Sequence, residues 1–297
     1  MATAVICEFN PFHNGHKYLL ESAKNVLKEP VIAIMSGSFT QRGEVAVCDK
    51  FVRAKSALEN GADLVLELPV VFSLSGAEGF AKAGVAIASA FECTNHLAFG
   101  SESGDCELLK KSANAVCDER VQALVRDGMK NGGYYPRELE NAVKTVFGDE
   151  ISSVLCEPNN ILGVEYIKAL NGTGVEPFSV ARTGVAHDSR IAGEGFASAS
   201  HIREMLRNGE NAKKYAPYIP DEITFPENLD RPLLYRLRTM TREDIAKLPD
   251  VGEGLENRIA DAAVRCSTSS EIADLVKTKR YTHARIRRIL ALSLIHI

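Results

Sequence analysis

Through the first two thirds of the chain, short apolar runs alternate with stretches whose apolar residues recur at helical spacing. That alternation predicts an α/β fold, a parallel sheet covered by helices. Ala2 to Cys7 reads as the first strand and His16 to Leu27 as the helix after it; Val31 to Met35 and Asp63 to Leu68 read as the second and third strands, with a helix from Lys50 to Glu59 between them. The largely apolar stretch from Ala77 to Ala90 predicts a buried helix, and His96 to Phe99 a fourth strand ending abruptly at Gly100. Two helical patterns follow, Glu107 to Met129 and Arg137 to Phe147, joined by the Gly132-Gly133 turn. A helix from Ile161 to Leu170 precedes a fifth strand at Pro177 to Ala181.

Past Tyr215 the texture changes. Pro217, Pro220, Pro226 and Pro232 fall within one short span, which reads as a linker. Beyond it the pattern is helical, with Val251 to Val264, Ser270 to Val276 and Thr282 to Leu294 as the expected helices. The expected organisation is an α/β domain over residues 1–215 and a mainly helical region over residues 216–297. A length of 297 residues suits a large domain plus a smaller one.

Composition narrows the class. Hydrophobic content of 45% and charged content of 25% are those of a soluble globular chain. Nothing approaches the roughly 18 uninterrupted apolar residues a membrane helix needs, and MATAVICEF lacks the basic residues that open a signal peptide. The seven cysteines are scattered and none stands in a C-x-x-C spacing, so neither a disulfide framework nor a zinc site is expected and the cytoplasm fits best. The net charge of -4 argues against a protein that coats nucleic acid by bulk electrostatics. Cations nevertheless gather near the end of the sequence, where Lys277, Lys279, Arg280, Arg285, Arg287 and Arg288 stand against Asp274 alone. That patch, with Tyr281 and His283 interleaved, suits phosphate contact and stacking on a splayed base, the alternative being a solvated helix face.

The chemistry concentrates in Cys7-Glu8-Phe9-Asn10-Pro11-Phe12-His13-Asn14-Gly15-His16, between the first strand and the first helix. In an open α/β sheet ligands sit beyond the carboxyl ends of the strands, and the following helix offers unpaired N–H groups and a positive dipole end to phosphate. Two histidines spaced i and i+3 at a helix start face the same way, so both imidazoles can donate to one phosphate. Gly15 between them is expected to leave room for a base or ribose. Donors fixed where negative charge develops on an attacked phosphorus contribute roughly 3 to 4 kcal/mol each to the transition state. The plainer alternative is a surface histidine and a helix cap. Far downstream, Ser198, Ser200 and Arg203 open a short helical pattern; serines there usually cap, and here they also suit the β- and γ-phosphates.

Taken together, CEFNPFHNGHKYLL, MSGSFTQRGEVAVCDKFVRA, GADLVLELP, LAFGSESGD, PNNILGVEY, SASHIR, VGEGLENRI and KTKRYTHARIRRIL resemble the tRNA(Met) cytidine acetate ligases, a family of the HIGH-type nucleotidyltransferase superfamily. The resemblance covers nearly the whole chain. It implies a Rossmann-like parallel sheet of the HIGH nucleotidyltransferase type with a helical C-terminal region. It also implies an ATP-dependent ligase that activates acetate as acetyl-adenylate and transfers the acetyl group to N4 of the wobble cytidine of elongator tRNA(Met), without acetyl-CoA. ATP would be a substrate, with Mg2+ as the default ion, and no membrane partner is implied.

By the same resemblance, His13 and His16 act on the phosphates as the catalytic residues, and no protein metal site is implied. The ATP loop comprises Ile6, Cys7, Glu8, Phe9, Asn10, Pro11, Phe12, His13, Asn14, Gly15, His16, Lys17, Tyr18 and Leu19, joined by Gly100, Asn159, Arg182, Ser198, Ser200 and Arg203. The doublet Asn159-Asn160 leaves a one-residue ambiguity; helix capping is the alternative for Asn159 and a solvated strand end for Arg182. The loop from Ser36 to Gly43, with Gln41 and Arg42, reads as an acetate pocket, a contact for the tRNA end or a mere surface loop, and Lys50, Arg53 and Lys55 as a solvated face, with RNA contact as the alternative. Two departures from the family stand out. The family continues past Leu294-Ile295-His296-Ile297 into a further helical region, and it carries an aromatic residue where this chain has Ala186, in Gly184-Val185-Ala186-His187-Asp188. A small-molecule adenylyltransferase of cofactor biosynthesis and a non-catalytic RNA-binding module on the same fold are the competing readings.

Overall fold

The structure is a computed structural model, and it describes residues 1–182, 195–279 and 281–295. Arg280, His296, Ile297 and the segment containing Ala186 lie outside the described residues.

Five parallel strands form one sheet: β1 (Ala2–Cys7), β2 (Val31–Ser36), β3 (Leu64–Leu68), β4 (Thr94–Ser101) and β5 (Glu176–Ala181). Their order is β3-β2-β1-β4-β5, so the chain winds outward from β1 in both directions and the switch point lies between β1 and β4. β1 is buried on both faces, as a central parallel strand must be. Val5 and Cys7 join Leu20, Ala33 and Met35 beneath helix Asn14–Leu27, whereas Ala4 and Ile6 join Ile34, Phe80, Leu97 and Phe99 on the opposite side. Helix Ala77–Ala90 approaches that side closely at Gly84, where an added Cβ would press into the Ile6 side chain.

All five expected strands form, with bounds shifted by at most two residues. The expected single helix from Glu107 to Met129 is two, Cys106–Cys117 and Glu119–Lys130. Asp118 divides them: its backbone is extended and its carboxylate accepts from the Arg120 amide, capping the second helix. Tyr135–Phe147 and Pro158–Leu170 complete that side.

The proline-rich span is less of a linker than its composition suggests. Tyr218 packs on Phe12 and donates its hydroxyl to Asn60 at 2.7 Å, and Pro232 sits within helix Asp230–Thr239, which propensity had hidden. The last helices, Leu255–Arg265, Ser269–Val276 and His283–Leu292, close a second core around Leu237, Ile259, Ile272 and Ile289. Among the described residues, no helix is long and apolar enough to cross a membrane.

Candidate active site

The site gathers around the carboxyl ends of β1, β2, β4 and β5, with residues from three helices completing its wall. The segment after β1 turns sharply, with Phe9 at φ 47° and buried, and delivers His13 as the N-cap of helix Asn14–Leu27. The His13 and His16 rings stack at 3.7 Å between centroids and 27° between planes. Phe9 and Phe12 pack on His16 at 4.9 and 5.8 Å, fixing its plane.

Hydrogen bonding sets the tautomer of each ring. The Gly15 amide donates to His13 Nδ1 at 3.0 Å, and the His13 amide donates to His16 Nδ1 at 3.3 Å. Each Nδ1 therefore carries a lone pair, and each Nε2 carries the proton. Burial drives the His13 pKa down to about 3, with Arg182 and Arg203 adding to it; burial likewise holds His16 well below the usual imidazole range, assisted by His13 and Arg182. Two neutral N–H donors thus stand side by side. Capping occupies Nδ1 of His13 and leaves the Nε2 proton for the expected phosphate.

Gly15 lines the same space as the two rings and also accommodates its neighbour: a Cβ there would come within 2.9 Å of His13 Cε1.

These rings line a cavity of about 290 Å3. Of the Ile6 to Leu19 segment, Pro11, Phe12, Asn14 and Lys17 do not reach it. Asn14 donates instead to the Gly195 and Lys214 carbonyls at 2.8 and 3.1 Å, tying the helix start to two later segments, and Lys17 pairs with Glu21 at the surface. Gly100, Asn159, Arg182, Ser198, Ser200 and Arg203 all line the cavity, although they come from four separate parts of the chain. Arg182 follows β5, and its buried Nε finds no hydrogen-bond partner among the described residues, as expected of a donor kept for a ligand. Arg203 donates to the Asn10 carbonyl at 2.9 Å and to Ser200 Oγ at 3.3 Å. Ser198 is the N-cap of helix Ala199–Arg207, accepting from the His201 amide at 3.1 Å.

The Asn159-Asn160 ambiguity has a geometric answer. Asn159 faces the cavity, while Asn160 is buried and accepts from the Ser103 amide. Glu102, absent from the sequence reading, holds both: it accepts from Asn159 Nδ2 at 2.5 Å and from the Asn160 amide at 2.9 Å, a carboxylate at the positive end of helix Pro158–Leu170. The apolar wall was missed as well. Phe80, Phe99, Leu162 and Tyr166 come from elements that read from sequence as plain core.

The loop after β2 contributes Thr40, Gln41, Arg42 and Glu44 to the lining. Gln41 N–H donates to the Glu8 carboxylate at 2.5 Å, and burial raises the Glu8 pKa. Arg53 corrects the expected solvated face. It is buried and donates to the carbonyls of Glu8, Ser36, Gly37 and Cys48, stitching the loop after β1 to the loop after β2.

The C-terminal cations divide into two groups. Lys277 and Lys279 are exposed and border an open groove of about 810 Å3 that Arg137 and Tyr134 line from the other side. Tyr281, expected as a stacking platform, is instead buried in the second core with its hydroxyl on the Gly252 carbonyl, and Arg285 lies over its ring at 4.6 Å. Arg288 is buried too, and Arg287 pairs with Glu44 at 2.7 Å; both meet the loop after β2 because their helix packs against it at Gly43.

Comparison with known proteins follows the same lines. The family model for HIGH Nucleotidyl Transferase matches residues 1–297. A tRNA(Met) cytidine acetate ligase of Clostridium tetani (strain Massachusetts / E88) is 37% identical over 314 residues, covering 97% of this chain and 77% of its relative. One from Thermoanaerobacter sp. (strain X514) is 39% identical over 313 residues, covering 99% and 77%. Among solved structures, Thermotoga maritima TmcAL (apo, form I) superposes with a TM-score of 0.90 at 34% identity, over 99% of this chain and 75% of that one. The same protein bound with alpha-thio ATP gives 0.88. This chain therefore spans about three quarters of these relatives.

Proposed function

The chain belongs to the HIGH nucleotidyl transferase family and, within it, to the tRNA(Met) cytidine acetate ligases; from that membership we propose a two-step, ATP-driven acetylation of elongator tRNA(Met). In the first step an acetate oxygen attacks the α-phosphorus of ATP, the bond to the bridging oxygen breaks, and pyrophosphate leaves with the electron pair. In the second step the N4 amino group of the wobble cytidine attacks the acetyl carbonyl carbon, AMP departs, and the amine loses a proton. A free carboxylate is no electrophile, so activation has to precede the attack by a weakly nucleophilic amine.

The observation that carries this reading is the stacked pair of neutral imidazoles on the cavity, each protonated at Nε2. Charge builds on the equatorial oxygens of the α-phosphate as the new bond forms, and two preorganised donors stabilise that charge more than the ground state. Neutral rings stay donors without losing a proton near pH 7. Arg182 and Arg203, with Ser198 and Ser200, suit the polyphosphate and the leaving pyrophosphate. Gly100 and Asn159 suit the nucleoside. The bound alpha-thio ATP of the Thermotoga maritima relative supports ATP as the substrate here. We assign magnesium to ATP's own phosphates, and the activation step leaves acetyl-CoA no part.

The domain division proposed is 1–215 for activation and 216–297 for a helical region that meets tRNA, both working in the cytoplasm. Lys277 and Lys279, beside Arg137 and Tyr134, are the cations best placed for RNA phosphates, with Arg280 and Arg285 extending the charge along the sequence. The experiment that tests the whole reading is mass spectrometry of bulk tRNA after incubation with ATP and isotopically labelled acetate, omitting coenzyme A. Labelled N4-acetylcytidine is the expected product. Labelled acetate absent from tRNA, together with pyrophosphate exchange driven by a nucleotide monophosphate or phosphopantetheine, would favour the cofactor adenylyltransferase reading.

A further inference from the structure

Arg287 and Arg288 read from sequence as RNA contacts, yet both are engaged by one turn of the catalytic domain. Arg287 Nη1 meets the Glu44 carboxylate at 2.7 Å, and Arg288 Nη1 donates to the Gln41 carbonyl at 3.4 Å. Between them sits Gly43, at φ 79°, so close to helix His283–Leu292 that an added Cβ would collide with the backbone of Arg287 and Arg288. The same turn is tied from its other side by the Gln41 amide to the Glu8 carboxylate. Helix, turn and phosphate-binding segment are therefore one continuous set of contacts.

Glu44 and Arg203 line the same cavity. Of the charged groups acting on the buried Arg203 guanidinium, Glu44 acts most strongly, ahead of Glu8. A carboxylate released inside such a cavity pairs readily with a guanidinium, because the planar fork of donors matches both carboxylate and phosphate oxygens. It would then compete with the polyphosphate for the same donors.

From these contacts we propose that Arg287 is a positioning residue for the nucleotide site: by holding Glu44 against the C-terminal helix, it keeps that carboxylate off Arg203 and leaves the guanidinium to the polyphosphate of ATP. Gly43 and Arg288 fix the turn on which Glu44 is carried. The proposal rests on reading this cavity as the ATP site, and it makes the C-terminal region part of the activation step.

The test uses the full chain without tRNA, measuring ATP affinity by calorimetry and acetate-dependent ATP–pyrophosphate exchange. Arg287→Ala is expected to weaken ATP binding about tenfold, as for the loss of one charge-assisted phosphate contact. Its KM for ATP should rise while its KM for acetate stays put. Arg287→Lys should keep most of the affinity, and Glu44→Gln placed in the Arg287→Ala background should restore it, since the competing charge is gone. A contact that merely braced the fold would not be rescued by Glu44→Gln, and that result overturns the proposal. So does an Arg287→Ala protein that binds ATP like wild type while losing tRNA. A wild type that fails to bind ATP would bring down the reading of the cavity beneath it, a distinguishable failure.

Discussion

The amide of Gly15 donates to Nδ1 of His13 across 3.0 Å, which obliges that imidazole to carry its proton on Nε2. Removing the ring removes a neutral donor, not a charge. His13→Ala should therefore lower kcat for acetate-dependent pyrophosphate exchange by about 10²- to 10³-fold, the usual loss for one preorganised transition-state donor, with a much smaller change in ATP affinity. An equal loss in both quantities would mean the ring binds ATP without favouring the transition state.

Stability should depend on pH through the same rings. Both native pKa values lie below the unfolded one near 6.5, that of His13 at about 3. Between those limits the unfolded chain binds protons that the native chain refuses, so the stabilisation present above pH 6.5 is lost as pH falls. The slope reaches about 1.4 kcal/mol per pH unit for each histidine. Urea midpoints taken at pH 7 and pH 5 should drop further for wild type than for His13→Gln; parallel drops would remove His13 as the cause.

Two glycines of the site should respond differently to the same substitution. In Gly15→Ala the new methyl meets the His13 ring at 2.9 Å, so exchange activity falls even where ATP still binds. In Gly100→Ala the methyl meets Arg182 Cγ at 3.5 Å and the Val180 carbonyl oxygen at 3.9 Å, both ordinary contacts, so the melting temperature should stay within about 2 °C of wild type. Calorimetry should nonetheless show weaker ATP binding for Gly100→Ala, because the nucleotide would lie against that strand. Unchanged affinity would move the nucleoside elsewhere in the cavity.

Arg53→Lys should be destabilising despite conserving charge. A lysine cannot reproduce the planar fork that serves four carbonyls from a buried position, and leaving such acceptors unpaired costs on the order of 2–3 kcal/mol. Denaturant unfolding measures it directly, and a variant within 0.5 kcal/mol or so of wild type would show that water replaces the lost donors.

The sheet was legible because buried parallel strands such as Ala2–Cys7 and Val31–Ser36 are short apolar runs that little else resembles. The short helix Arg242–Ala246 and the helix holding Pro232 were not, because they depend on burial against the second core more than on their own propensity. Of the site, the HxGH segment announced itself through local spacing. Glu102, Phe80 and Tyr166 did not, since each looks like a core or capping residue until the fold brings it to the cavity. Arg53 misled, because an arginine on a helix reads as solvated unless the neighbouring backbone carbonyls are known.

By itself the sequence determined the α/β class, the strand–loop–helix setting of His13 and His16, and the family, for these are carried by residues adjacent along the chain. The tertiary structure alone decided which nitrogen of each imidazole bears the proton, which asparagine of the doublet meets the cavity, and that Arg287 is bound to Glu44, 243 positions away. Hydrogen-bond partners and burial are properties of neighbours in space, and only folding selects those neighbours.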